Sequence, residues 1–321
     1  MHWLDRAAVK VIERGPSRLR FFKEGLGDPD ELQWFQEQAA TSWPIADIDV
    51  VWGNPTLRGG MVVTEGWFES PFVFLPDRAR IARLRRIEPQ DGAERCAVIL
   101  AAWNDQNYRT RGKLATRLAE MGIASVMLEN PYYGLRRPSP EPWQSIRTVV
   151  DLARMGRAVI EEGRALVTYF RNRLGYTVGI TGYSMGGAHA AYVATTMPDP
   201  VAAAPLAPSH SPAAVFKGKA LSVGVGLSSD HDTARFHRYL ESVSLLNFEP
   251  PPHTAAAVLV AASDDGYVPE ESARAIHEHW PGSKLVITGG GHASLLVARK
   301  PVLLRAIRDS FDRLHALERS Q

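Results

Sequence analysis

The sequence predicts an α/β fold: a mainly parallel central sheet flanked by helices, with antiparallel N-terminal strands and a cap-like insertion. From Cys96 onward, short apolar runs alternate with segments of helical period. Several of those runs are apolar at consecutive positions, as strands are when both sheet faces are covered by helices. Before Cys96 the apolar runs are broken by Gly and Pro, the texture of strands joined by tight turns.

Residues 1–47 read as a polar, aromatic-rich N-terminal helical extension, with a helix expected over 29–40. Across 48–89 the runs IDVVWGN, GMVVTEGWFESPFVF and RIARLRRIEP predict antiparallel strands. CAVILAA (96–102) predicts a buried strand, 109–122 a helix, and IASVMLE (123–129) a second strand closed by Asn130-Pro131. Over 144–175, Ile146, Val149, Ala153, Ile160, Leu166 and Phe170 share one face, which predicts a long amphipathic helix. A strand (176–182), a helix (185–197) and a strand (201–209) follow. Strands at 254–263 and 284–290 flank a helix at 269–280, and a last helix is expected over 295–317. The alternation lapses over 209–252, which reads as a cap or lid inserted into a single domain spanning 1–321.

Composition narrows the function classes. The 321 residues are 45% hydrophobic and 22% charged, enough apolar material for a sizeable core. Lys and Arg number 37 against 35 Asp and Glu, and no basic run is present, so nucleic acid is not an expected partner. The single cysteine, Cys96, excludes a disulfide framework and a cysteine-based metal site, and no cofactor is expected. It suits a reducing, cytoplasmic compartment. The opening MHWLDRAAVK lacks an apolar core and carries Asp5, so a signal peptide is not expected. The uncharged stretch 174–198 is glycine-rich and polar, a strand–turn–helix rather than a transmembrane segment.

The decisive motif is Gly182-Tyr183-Ser184-Met185-Gly186, a G-x-S-x-G between an expected strand and an expected helix. A chain turning sharply from strand to helix exposes its apex residue above the sheet, and flanking glycines let the two backbones pass closely. A serine hydroxyl so placed is a candidate nucleophile, but it needs a base and an acid to orient that base. Asp264-Asp265-Gly266 follows one later strand and Gly289-Gly290-Gly291-His292 follows the next, in the order Ser, acid, His. Both lie at C-terminal strand ends, where open α/β sheets bind ligands. Asp265, next to the glycine, is expected to reach the His loop. The oxyanion hole needs two backbone N–H groups: Met185 supplies one, and the loop after 96–102 the other, from Trp103 before Asn104.

With these residues in place the chain resembles the α/β-hydrolase superfamily, and more closely its domain-containing-protein-18 family. LENPYYGLRRP (128–138), ITGYSMGG (180–187), DDGYVP (264–269), HWPGSK (279–284) and GGGHAS (289–294) carry the resemblance. It implies Ser184 as nucleophile, Asp265 as acid and His292 as base. It departs from the pattern at Ala101-Ala102-Trp103, where many relatives carry a glycine.

The expected function is a serine hydrolase cleaving carboxylic, including lipid, esters through an acyl-enzyme. Acyl transfer from the same intermediate and a non-catalytic scaffold are the alternatives. Arg136 and Arg137 are expected either to be solvated or, with Lys217, Lys219, Arg235 and Arg238 of the insertion, to form a basic rim for an anionic substrate.

Overall fold

The computed structural model describes Asp5 and residues 20–138, 146–217 and 221–319. In chain order its elements are α1 (Pro29–Glu37), β1 (Val51–Trp52), β2 (Thr56–Arg58), β3 (Met61–Glu69), β4 (Ile81–Pro89) and β5 (Arg95–Leu100). Then come α2 (Arg109–Ala119), β6 (Ile123–Leu128), α3 (Val149–Asn172), β7 (Thr177–Tyr183), α4 (Met185–Thr196) and β8 (Ala202–Leu206). Between β8 and β9 lie α5 (Ala213–Phe216) and α6 (Asp230–Ser242). The chain returns through β9 (Val258–Ala262), α7 (Glu270–His279), β10 (Lys284–Thr288), α8 (His292–Ala298) and α9 (Lys300–Glu318).

One sheet runs β1-β3-β4-β6-β5-β7-β8-β9-β10, with β2 paired to β3. Pairings up to β4–β6 are antiparallel, and from β6 to β10 every pairing is parallel. The α/β expectation therefore holds, antiparallel edge included.

Period two along the central strands feeds two cores. Val98 and Leu100 of β5 join Ile180, Leu166 and Val193 on one face, beneath α3 and α4. Ala97 and Ile99 join Val260, Leu118 and Phe311 on the other, beneath α2 and α9. The long helix expected over 144–175 starts at Val149, where Thr148 and Asp151 form a reciprocal capping box.

Two expectations are corrected. The helix expected over 295–317 is two helices, α8 and α9, with Pro301 in the first turn of the second. Proline has no N–H to donate to the preceding turn and its ring clashes with that turn, so one helix cannot run through it and a new one starts with Pro301 in its first turn. The strand expected from Thr254 starts at Val258, because Thr254–Ala256 winds into a 3-10 turn that ties back to His253 and Pro251.

Candidate active site

Ser184 sits between β7 and α4 at φ +58° and ψ −119°. A non-glycine residue held at such a φ stores about 1–3 kcal/mol of strain and persists only where its surroundings fix it. Here the Ser184 N–H donates to the Leu206 carbonyl of β8 at 2.8 Å. The flanking glycines are steric requirements: a Cβ on Gly182 would lie 2.4 Å from the Gly186 carbonyl oxygen, and one on Gly186 2.5 Å from that of Leu100.

After β9 the chain turns so that the N–H groups of Tyr267 and Val268 both donate to Asp265 Oδ1, each at 2.8 Å. That leaves Oδ2 for the imidazole of His292, whose Nδ1 lies 2.6 Å away. Asp265 is 2% exposed and His292 15%, so the bond is shielded from water while the ring keeps one open edge. Asp264 faces outward and accepts from the Ser263 hydroxyl.

The rings of Tyr183 and Tyr267 flank His292 at 5.0 and 5.2 Å. The Tyr183 hydroxyl donates to the His292 carbonyl at 2.5 Å. Burial above all, and the negative charges of Asp265 and Asp5, push both phenols up, so Tyr183 stays a proton donor. Through Tyr183, the residue before Ser184 is fixed to the imidazole loop.

Met185 is the first residue of α4, so helix geometry gives its N–H no intrahelical acceptor. Trp103 and Met185 line the same cavity as Ser184. Asn104, the second choice from the sequence, donates its N–H to the Tyr133 hydroxyl at 3.1 Å. It also takes the positive φ, +60°, that a glycine would have supplied to this loop. Asn is the non-glycine residue that tolerates this conformation best. The loop is braced further by Arg111, which holds Asp105 at 2.7 Å and the Leu128 carbonyl at 2.5 Å.

The cavity over Ser184 measures about 140 Å³ and is overwhelmingly apolar. Besides α3 and α4, two further stretches of chain wall it. Val215, Phe216 and Phe248 belong to the 209–252 insertion, and Trp34, Phe35 and Trp43 to the N-terminal extension. The extension's part was missed from sequence, although its density of aromatics was a signal. Trp43 is held by the Arg157 guanidinium, 3.8 Å over its ring, while Arg157 donates to the Thr41 carbonyl. His189 also lines the cavity, and burial pushes its pKa down to about 4, so it is a neutral wall.

None of the described cations expected for a basic rim, Arg136, Arg137, Lys217, Arg235 and Arg238, lines this cavity. Arg136 is fully buried, bonded to both oxygens of Glu162 at 2.6 and 2.8 Å and to the carbonyls of Ala79 and Glu129. A guanidinium leaves water when a buried carboxylate and carbonyls satisfy its fork of donors, and α3 supplies that carboxylate here. Arg137 donates to Gln106 Oε1 at 2.6 Å. Neither arginine lines the cavity. Lys217 pairs with Glu241 and Arg235 donates to the Pro29 carbonyl. Lys219 lies outside the described residues. Among the described residues, no group of His, Cys, Asp and Glu is placed to hold a metal, and no helix is long and apolar enough to cross a membrane.

A family model described as alpha/beta hydrolase domain containing 18 matches residues 19–228 and 223–313. The fold is similar to that of acetyl xylan esterase 1 from Thermoanaerobacterium sp., with TM-score 0.60 and 14% identity over 90% of this chain and 97% of that one. It is similar to the acetyl xylan esterase of Paenibacillus sp. R4, with TM-score 0.59 and 13% identity over 93% and 98%. It is also similar to an S-formylglutathione hydrolase from Agrobacterium tumefaciens, with TM-score 0.51 and 17% identity over 84% and 100%. At these identities the likenesses establish the fold, that of the α/β-hydrolases.

Proposed function

The chain belongs to the alpha/beta hydrolase domain containing 18 family, and from that premise we propose that it is a serine hydrolase cleaving carboxylic esters through an acyl-enzyme on Ser184. One observation carries this: a strained serine at a strand–helix apex shares a sheet edge with a buried, hydrogen-bonded Asp265–His292 pair.

In the proposed reaction, His292 Nε2 takes the Ser184 proton as Oγ attacks the ester carbonyl. Asp265 accepts the Nδ1–H, which fixes the tautomer and stabilises the imidazolium. The N–H groups of Met185 and Trp103 receive the oxyanion, each donor contributing on the order of 10²–10³ in rate. Collapse expels the alcohol, protonated by His292, and leaves the acyl group on Ser184. Water, deprotonated by His292, then repeats the attack and releases the acid. The bond from Ser184 Oγ to Nε2 is the one link assigned to the substrate complex, where such contacts tighten.

The apolar cavity supports an acyl chain, a lipid acyl chain included, in the space roofed by residues 34–43 and the insertion. The names of the neighbours, acetyl xylan esterase and S-formylglutathione hydrolase, support ester and thioester chemistry in general. Acyl transfer uses the same intermediate and differs only in the acceptor.

Labelling with a fluorophosphonate tests the proposal. The wild type is expected to be modified at Ser184, and folded Ser184→Ala not at all. Labelling that survives Ser184→Ala overturns it. Across p-nitrophenyl esters, each buried CH₂ is worth about 0.8 kcal/mol, roughly fourfold in kcat/KM, until the cavity is full. An optimum at acetate removes the acyl slot.

A further inference from the structure

Asp5 is far from the catalytic loops in sequence and fully buried between them. Its Oδ2 accepts the Gly266 N–H at 3.0 Å and the His292 N–H at 2.9 Å, and its Oδ1 accepts the Ala293 N–H at 3.2 Å. Gly266 follows Asp265, and Ala293 follows His292. One carboxylate therefore ties the loop of the proposed acid to the loop of the proposed base.

We infer that Asp5 is a positioning residue that holds the Asp265–His292 pair in register. The inference rests on the serine-hydrolase reading for its catalytic consequence, though not for the contact itself. A buried carboxylate is costly unless its oxygens are satisfied, and three charge-assisted backbone bonds satisfy them. Without Asp5, the first N–H groups of α8 would need another acceptor, because Gly291 before them has no side chain to offer.

The restraint falls on one residue from three directions. Asp5 holds the His292 N–H, the Tyr183 hydroxyl holds its carbonyl, and Asp265 holds its ring Nδ1. The backbone of His292 then has little freedom to rotate, and the ring can only present Nε2 outward. Proton transfer requires the base within hydrogen-bond reach of the nucleophile, and a displacement of 1 Å can cost on the order of 10² in rate. The same carboxylate places a negative charge beside the peptide that carries the base.

The test uses the full chain with Asp5→Ala and Asp5→Asn, the latter isosteric and retaining one acceptor oxygen. Two measurements are made: amide hydrogen exchange over 264–268 and 290–294, and Ser184 labelling by a fluorophosphonate with kcat and KM on a p-nitrophenyl ester. The wild-type amides of Gly266, His292 and Ala293 are expected to be protected. In Asp5→Ala they exchange at least ~10-fold faster, while the β5–β8 core is unchanged. Labelling and kcat fall ~10²-fold with KM nearly constant, and Asp5→Asn lies between.

A staple that served stability alone would lower the melting temperature and leave the kcat of the folded fraction at the wild-type value, which overturns the inference. Wild-type amides at 266, 292 and 293 exchanging as fast as an exposed loop also overturn it, even if neither variant folds. Should the wild type resist labelling at Ser184, the hydrolase reading fails separately, and the exchange data alone decide whether Asp5 joins the two loops.

Discussion

The Tyr133 hydroxyl accepts the backbone N–H of Asn104 at 3.1 Å, and Asn104 stands at φ +60°. Tyr133 comes from the ENPYYG segment after β6, and Asn104 from the loop after β5. The second loop thus holds the first in a conformation that glycine would otherwise be needed to reach. Gln106 doubles the tie: its Oε1 accepts the Gly134 N–H and its Nε2 donates to Asn104 Oδ1. Through these bonds the loop after β6 braces the loop after β5.

Tyr133→Phe deletes this acceptor and leaves the ring packing in place. The Asn104 N–H is then unpaired and the Trp103 N–H beside it is no longer fixed. The expected result is a fall in kcat of ~10–100-fold with KM nearly unchanged, since loss of a whole oxyanion donor costs on the order of 10²–10³. Steady-state kinetics on a p-nitrophenyl ester check it. An unchanged kcat would detach Tyr133 from the oxyanion loop.

The two carboxylates that follow β9 are expected to differ sharply. Asp265 uses Oδ1 for two backbone donors and Oδ2 for His292, whereas Asp264 makes its bond to an exposed serine. Asp265→Asn presents an amide to Nδ1 and favours the wrong tautomer, costing on the order of 10⁴ in kcat. Asp264→Asn is expected to stay near wild type. The reverse ranking, read from kcat of both purified variants, would reassign the acid.

Much of this was legible in the residues, and what was not has physical reasons. The central strands show because burial on both faces demands runs such as CAVIL, and the elbow shows because only glycine tolerates the carbonyl contacts at 182 and 186. Asp265 and His292 show because each follows a strand into a glycine turn. Arg136 misleads because its partner, Glu162, lies on a helix whose register against that loop is a tertiary fact. Asp5 leaves no local signal at all, since its three donors are backbone N–H groups that any sequence carries. The N-terminal walls of the cavity escape for a related reason: the Trp34–Trp43 pair is brought over Ser184 by packing of α1 on α3, which no periodicity in residues 1–47 encodes.

Arg136 is therefore a stability residue. Arg136→Ala strands the Glu162 carboxylate in the core, and removing one partner of a buried pair costs about 3–5 kcal/mol. Urea unfolding of the variant measures this, and Arg136→Met with Glu162→Leu is expected to recover most of the loss. A cost below 1 kcal/mol would mean that the pair is not buried as described.

Imidazoles pushed down by burial, His189 and His253 among them, set an acid limb of stability. Burial pushes His189 and His253 from the ordinary 6.5 down to about 4. Between these values the unfolded chain takes up protons that the folded chain refuses, so their stabilising contribution is complete above 6.5 and is lost as pH falls toward 4. Glu129 and Glu161, raised chiefly by burial, act in the opposite sense. The difference between wild type and His189→Leu isolates one group: the variant's melting temperature is expected to fall less steeply from pH 6.5 to 4.5. Parallel curves would show that His189 takes up its proton as readily in the folded chain as in the unfolded one.

The acyl group itself gives the most direct test of the proposed chemistry. Mixing the enzyme with a p-nitrophenyl ester, quenching in acid within the first turnover and mapping peptides by mass reports where the acyl carbon is held. The predicted result is one acyl mass on Ser184, absent in Ser184→Ala and strongly reduced in His292→Ala. Rapid ester consumption with no acyl group on Ser184, or with the acyl group on another residue, would contradict it.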